Sequence, residues 1–128
     1  MNNIIWHKEF KEFFVVPKNI DDKKTKYFKP LNKSSKNKVI RSEKEISKCI
    51  VVEATRFKDK NKKMLYMYDI VKDVISGKFH QIYWGDEGFC CMCLETREKK
   101  KIISKEIERI GNAYSYYDKF KNYKYLEV

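Results

Sequence analysis

Apolar residues in this chain come in short runs, and their spacing changes from one region to the next. Near the start, Trp6, Phe10, Phe13 and Phe14 recur at helical intervals with charged residues between them. Asn2 or Asn3 supplies a cap and Pro17 a stop, so the pattern predicts a short N-terminal helix. Ser42 to Glu45 reads S-x-x-E ahead of Ile46 and Cys49, a capping-box pattern that predicts a second helix of one or two turns. The rhythm then changes. Cys49–Phe57, Met64–Val71, Phe79–Trp84, Phe89–Glu95 and Ile102–Ile110 are brief runs with β-branched and aromatic residues, the mark of strands. Between the third and fourth runs lies GDEG, whose flanking glycines tolerate positive φ, and this predicts a hairpin. Four to five short strands joined by turns predict a small, strongly bent sheet or barrel. The expected class is α+β. Residues 1–41 supply an N-terminal helix and a basic segment, residues 42–128 a β-barrel with an aromatic C-terminal helix or tail, and the 128 residues make one compact domain.

Charge is distributed unevenly over this pattern. The chain carries a formal charge of +11. Nine basic residues lie between Pro17 and Arg41, among them Lys23, Lys24, Lys26 and Lys29, against only Asp21 and Asp22. With Tyr27, Phe28 and Leu31 as its main apolar content, this segment reads as an irregular loop, either a solvated one or an arm that orders on a polyanion. A basic chain is drawn to nucleic acid, anionic membranes and acidic protein faces alike. Lys, Asn, Ile and Tyr are abundant and Arg and Ala scarce, the bias of an AT-rich coding genome, so part of the lysine excess reflects codon usage. No run approaches the roughly 18 consecutive apolar residues of a membrane helix. Lys8, Glu9, Lys11 and Glu12 break the opening as a secretory signal. No membrane association is expected, and the four cysteines are expected as cytosolic thiols.

Patterns that would carry chemistry are sparse. CCMC (Cys90, Cys91, Cys93) is not C-x-x-C, and no second cysteine pair or H-x₃₋₅-H stands near it. Strand alternation puts Cys91 and Cys93 on one face, where His80 could join them around zinc, but buried strand thiols are the simpler reading. His7 and His80 are the only histidines available to activate a thiol, and no pattern supplies an oxyanion hole. Phosphate-cradling glycine motifs and paired-carboxylate signatures do not occur. The expectation is a non-enzyme with no metal and no cofactor. Two stretches look like binding surfaces. Lys60, Lys62 and Lys63 crowd the turn KDKNKK, which reads first as the tip of a hairpin. The closing YSYYDKFKNYKYLEV interleaves Tyr116, Tyr117 and Tyr123 with lysines, as surfaces that stack bases do. Tyr116, Phe120 and Tyr123 also fit one helix face docked on the body.

TRFKDKNKKMLYMYDIV resembles the signature of the YopX family of small phage and prophage proteins. Thr55, Lys58, Asp59, Lys60, Asn61, Lys63, Tyr66, Asp69, Ile70 and Val71 fall on that signature without a gap. IERIGNAYSY, residues 107–116, resembles the family's closing motif, and the resemblance covers about Cys49 to Tyr117. It implies a compact SH3-like β-barrel and a phage origin, hence the cytoplasm of a bacterial host. The signature's three glycines are replaced by Arg56, Lys62 and Tyr68. Lysine at a left-handed position costs on the order of 1 kcal/mol relative to glycine, so the turn at Asn61-Lys62 is expected to be longer than a two-residue one, or of another type. The first half shows no match to the family.

Three functions follow as expectations. The first is a phage-encoded accessory protein that binds and inhibits a host protein or nucleoprotein complex, as an anti-CRISPR protein does. A direct DNA- or RNA-binding protein of phage replication or regulation is the alternative, and a small enzyme such as a nuclease comes third. The sequence gives no oligomeric state.

Overall fold

The computed structural model describes residues 3–15, 29–30 and 49–128. It divides into two compact units, Met1–Glu53 and Ala54–Val128. In the first, β1 (Ile4–His7) pairs antiparallel with both β2 (Glu12–Val15) and β4 (Cys49–Val52), and β3 (Lys29–Pro30) extends the sheet beside β2. No helix forms over Trp6–Phe14, against the expectation. In the register of this hairpin Trp6 faces Phe13 and Ile5 faces Phe14, so cross-strand partners fall at intervals that mimic a helical face. Ile5 and Phe14 form a small core with Phe10 and Cys49. The helix expected from Ser42 and most of the basic segment lie outside the described residues.

The second unit holds two sheets. A five-stranded antiparallel sheet runs in the order β10-β9-β8-β7-β11, built from β7 (Asp69–Asp73), β8 (Phe79–Gly85), β9 (Gly88–Cys93), β10 (Lys99–Lys100) and β11 (Ile107–Asn112). A two-stranded ribbon pairs β5 (Ala54–Lys58) with β6 (Met64–Tyr66). This corrects the SH3-like barrel and the α+β class. The five-stranded sheet has edges at β10 and β11 and does not close, and among the described residues the only α-helix is α1 (Tyr117–Phe120), a single turn. Two expected strands are interrupted: Cys49–Phe57 splits at Glu53, and Met64–Val71 splits at a turn over Met67-Tyr68. The last expected strand starts late, after a 3₁₀ turn at Ser104–Glu106. The GDEG hairpin forms, with Gly85 opposite Gly88, and only Gly88 takes positive φ, at 112°. No helix among the described residues is long and apolar enough to cross a membrane.

Leu65, Val71, Ile82, Cys91 and Ile107 make one apolar cluster, with Phe89 and Ile102 packed against it. A second joins Ile70, Leu94, Ala113 and Phe120, flanked by Phe79, Tyr116 and Tyr123. The helix and tail therefore dock on the sheet through their aromatic face. The tail is held by hydrogen bonds as well. The Gln81 side-chain amide donates to the Glu127 carbonyl at 2.7 Å and accepts the Glu127 N–H at 2.9 Å.

Candidate functional site

The two acids of the signature, Asp59 and Asp69, point inward. Asp59 is buried, and one of its oxygens accepts the N–H groups of Asn61 (2.9 Å) and Lys63 (2.8 Å) while the other accepts that of Arg109 (2.8 Å). KDKNKK is thus a hairpin turn organised around a carboxylate. Three residues, Lys60 to Lys62, make the loop, with Lys62 at φ 63°, the arrangement of a three-residue hairpin that ends in a left-handed residue. Arg56 and Tyr68 also take positive φ, 70° and 67°. All three residues that stand in for signature glycines keep a backbone that glycine would adopt without strain.

Asp69 is fully buried, ion-paired with the Arg109 side chain at 2.8 Å and hydrogen-bonded to the Asn112 side chain at 2.9 Å and the Tyr66 N–H at 2.8 Å. Burial raises its pKa above the ordinary carboxylate value, opposed by Arg109 and these hydrogen bonds. Burial works against the charge on Arg109 too, but Asp69 outweighs it and the guanidinium pKa is raised. Asn112 also bonds the Met67 carbonyl at 2.9 Å, so this network ties β11 to β7 and to the turn between β6 and β7. Gly111 is required by contact: a Cβ there would lie 2.2 Å from the Tyr116 ring. The two acids of the signature, together with Arg109 and Asn112, are occupied in holding the fold.

The thiols and histidines follow the same logic. Cys91 and Cys93 are buried, Cys90 partly so. Burial pushes the Cys91 thiol up to about 12. Burial also acts against ionisation of Cys93, but hydrogen bonds from the Thr96 side chain and the N–H groups of Glu95 and Thr96 outweigh it and lower its pKa. His80 lies opposite Cys93 across the β8–β9 pair, yet forms no hydrogen bond with it among the described residues, and burial lowers the imidazole pKa. His7 accepts the Phe10 N–H through Nδ1 at 3.0 Å and stacks on the Phe10 ring. Among the described residues no group of three His, Cys, Asp or Glu side chains could hold a metal ion.

The sequence-derived binding residues do not converge. Lys23, Lys24 and Lys26 lie outside the described residues, and Lys29 falls in β3. Lys60, Lys62 and Lys63 are exposed on their turn, whose Lys60 N–H bonds the Ile107 carbonyl at the start of β11. Tyr116 follows the other end of that strand, bonding the Asn112 carbonyl through its N–H. Six residues of β11 separate the two patches, roughly 17 Å at ~3.3 Å per residue. Tyr123 packs on Phe79 and Phe120, Tyr116 covers Gly111, and Tyr117 alone of the three is exposed.

A different surface does gather unlike groups. Beside the β8–β9 hairpin runs an open groove of about 550 Å³. Phe57, Phe89 and Ile102 supply its apolar lining and Lys99, Lys100 and Lys101 its cations, while Asp86 and Glu87 line it at the hairpin tip. Lys100 bonds Asp73, and Lys99 lies 4.9 Å from the Tyr83 ring centre. Trp84, opposite Phe89 and edge-on to it at 4.6 Å, is exposed next to the groove. Phe57 links it to the β5–β6 hairpin, where Arg56, Lys58, Lys60, Lys62 and Lys63 are all exposed and the one acid, Asp59, is buried. Sequence reasoning passed over Lys99–Lys101. The signal was there, three consecutive cations directly after a turn, but such a run ordinarily marks a solvated loop.

The sequence model of the family described as YopX protein matches residues 5–116. That match reaches well into the first half of the chain, where the signature motifs alone gave none. No curated protein matches the chain.

Proposed function

The chain belongs to the YopX family, and on that premise we propose that this phage-type protein acts without catalysis, by binding and inhibiting a host protein or nucleoprotein complex. One observation carries the reading: Asp59 and Asp69 of the signature, with Arg109 and Asn112 of β11, are engaged in turns and strand ties, whereas the charged side chains left outward on the β5–β6 hairpin are all cations, next to a groove that adds aromatics and lysines with its two acids confined to the β8–β9 tip. Such a face recognises an anionic surface rather than transforming a small substrate. A defence complex that carries nucleic acid presents that kind of target, and a small basic protein lodged on it would act as anti-CRISPR proteins do. The five exposed cations of the β5–β6 hairpin also support a second reading, direct binding of DNA or RNA.

The test is purification of the tagged full chain from expressing bacterial cells, with and without nuclease. A stoichiometric host complex that survives nuclease, and whose activity falls when the purified protein is added back, is the expected result. Recovery of nucleic acid alone, lost on nuclease treatment, would replace this reading with the second.

A further inference from the structure

We infer that the groove beside the β8–β9 hairpin is a base-stacking site for single-stranded nucleic acid, which gives the second reading above a location. Three features converge on that ligand. Trp84 is 57% and Phe57 40% exposed, a large outlay of aromatic surface beside an apolar floor of Phe89 and Ile102. Every base has a face that stacks on such rings, and this contact is tolerant of sequence. Cations line the approach. Lys99 and Lys101 stand on the groove, and Arg56, Lys58, Lys60, Lys62 and Lys63 extend the positive surface from Phe57 along the β5–β6 hairpin, with no exposed acid between residues 56 and 63. A strand seated with a base against Phe57 would have its neighbouring phosphates within this positive surface. The volume, about 550 Å³, is that of a small-ligand cavity and has room for a stacked nucleotide.

Asp86 and Glu87 mark where the strand cannot go. Set at the hairpin tip, they repel phosphate at one end of the groove, so the strand is directed toward the lysines. Duplex DNA is not the ligand, because its bases are already stacked on one another. A mononucleotide offers the same base and phosphate but only one of the contacts, and is expected to bind far more weakly.

The full chain is titrated with ten-nucleotide oligo-dT and oligo-rU, and with the mononucleotides dTMP and UMP, following both anisotropy of labelled oligonucleotide and tryptophan emission. The chain has two tryptophans, and Trp6 is buried, so quenching on binding reports Trp84. Oligonucleotides are expected to quench that emission, and Trp84→Phe, which keeps a ring but removes the reporter, to abolish the quench. Phe57→Ala is expected to weaken binding roughly five-fold or more, in line with ~1–3 kcal/mol per stacked base. The double variant Lys99→Gln/Lys101→Gln should flatten the salt dependence by about 1.4 in log–log slope, at ~0.7 per phosphate contact on a single strand. Asp86→Asn/Glu87→Gln should tighten binding. The inference is overturned if oligonucleotides leave the emission unchanged, if all these variants bind like the parent, or if a duplex binds as well as a single strand. A nuclease-resistant host protein complex formed equally well by Phe57→Ala would mean that the surface serves a protein partner instead. Failure here leaves the host-complex reading standing. Failure to capture a host complex likewise leaves the groove intact.

Discussion

The turn that ends β7 and the turn that ends β9 are one structure made from different residues. In DVISGK the Asp73 N–H bonds the Lys78 carbonyl and the Gly77 N–H bonds the Asp73 carbonyl; in CLETRE, Cys93, Glu98 and Arg97 repeat both bonds. The Asp73 carboxylate accepts the N–H groups of Ile75 and Ser76, at 2.9 and 3.3 Å, and the N–H groups of Glu95 and Thr96 act on the Cys93 sulfur in the same sense, lowering its pKa. Ser76 and Thr96 each take the N–H two residues on through a hydroxyl oxygen. The fifth residue is left-handed in both, Gly77 at φ 74° and Arg97 at φ 66°. The β1–β2 turn is built alike, with His7 Nδ1 as acceptor and Lys11 at φ 52°. What the backbone requires is a buried acceptor at the first position and a left-handed residue at the fifth. A carboxylate, a thiol and an imidazole all meet the first requirement, which accounts for the burial of Asp73, Cys93 and His7.

The acceptors differ in strength, and that difference gives the largest expected effect. Asp73 is charged, takes two N–H groups and pairs with Lys100. Asp73→Ala leaves those donors and the ammonium without a partner, and should destabilise the chain by about 2–3 kcal/mol. Cys93→Ala removes a weaker, neutral acceptor and should cost about 1 kcal/mol, much of it lost packing. Urea unfolding of both variants at pH 7 measures the gap. Equal losses would show that the charge on Asp73 contributes nothing to its turn.

Much of this was readable in the chain and some was not. GDEG announced its hairpin because glycine at the last position of the turn is a local requirement, met at Gly88. The N-terminal hairpin looked helical because the pairing of Trp6 with Phe13 sets aromatics seven residues apart, an interval shared with two helical turns. A barrel was expected because short strands carry no signal of how a sheet ends; openness depends on long-range pairing such as β7 with β11. The signature acids were found but not their direction. An aspartate in a lysine-rich turn is ordinarily solvent-exposed, and only the geometry shows Asp59 and Asp69 facing in. Arg97 in a turn gave no hint that it stands where its counterpart uses glycine.

That last mismatch can be exchanged. A left-handed conformation costs an L-residue roughly 1–2 kcal/mol, offset in part by the extra freedom glycine has when unfolded. Arg97→Gly should therefore stabilise by about 0.5–1 kcal/mol, and Gly77→Arg should destabilise by a similar amount. A Cβ at Gly77 meets nothing within 4 Å, so backbone conformation alone sets the cost. Lys62→Gly, in the exposed signature turn, should match Arg97→Gly in sign and size. Thermal or urea melts decide it. A loss of stability in both glycine variants would mean that the turns relax out of the left-handed region.

The smallest effect separates the two acceptors by pH. Asp73 has its pKa lowered; burial works against this, but the hydrogen bonds from Lys100, Ile75 and Ser76 prevail. A lowered acid stabilises the fold above its unfolded pKa, about 3.9, and loses that contribution as pH falls through its folded value. Its share is therefore fully present at neutrality. Cys93 is lowered in the same direction, but an unfolded thiol titrates near ~8.5. Its share grows as pH rises past the folded value and completes above the unfolded one. Cys91, pushed up to about 12, works in the opposite sense over the same range. Comparing the parent with Cys93→Ser at each pH removes that common contribution. The stability gap between them should widen from pH 7 to pH 9.5, whereas the gap between the parent and Asp73→Asn should stay level over that interval and close only in acid. A Cys93 gap that stays level or narrows toward alkaline pH would show that the backbone N–H groups of its turn do not stabilise the thiolate, and the likeness of the two turns would then end at the backbone.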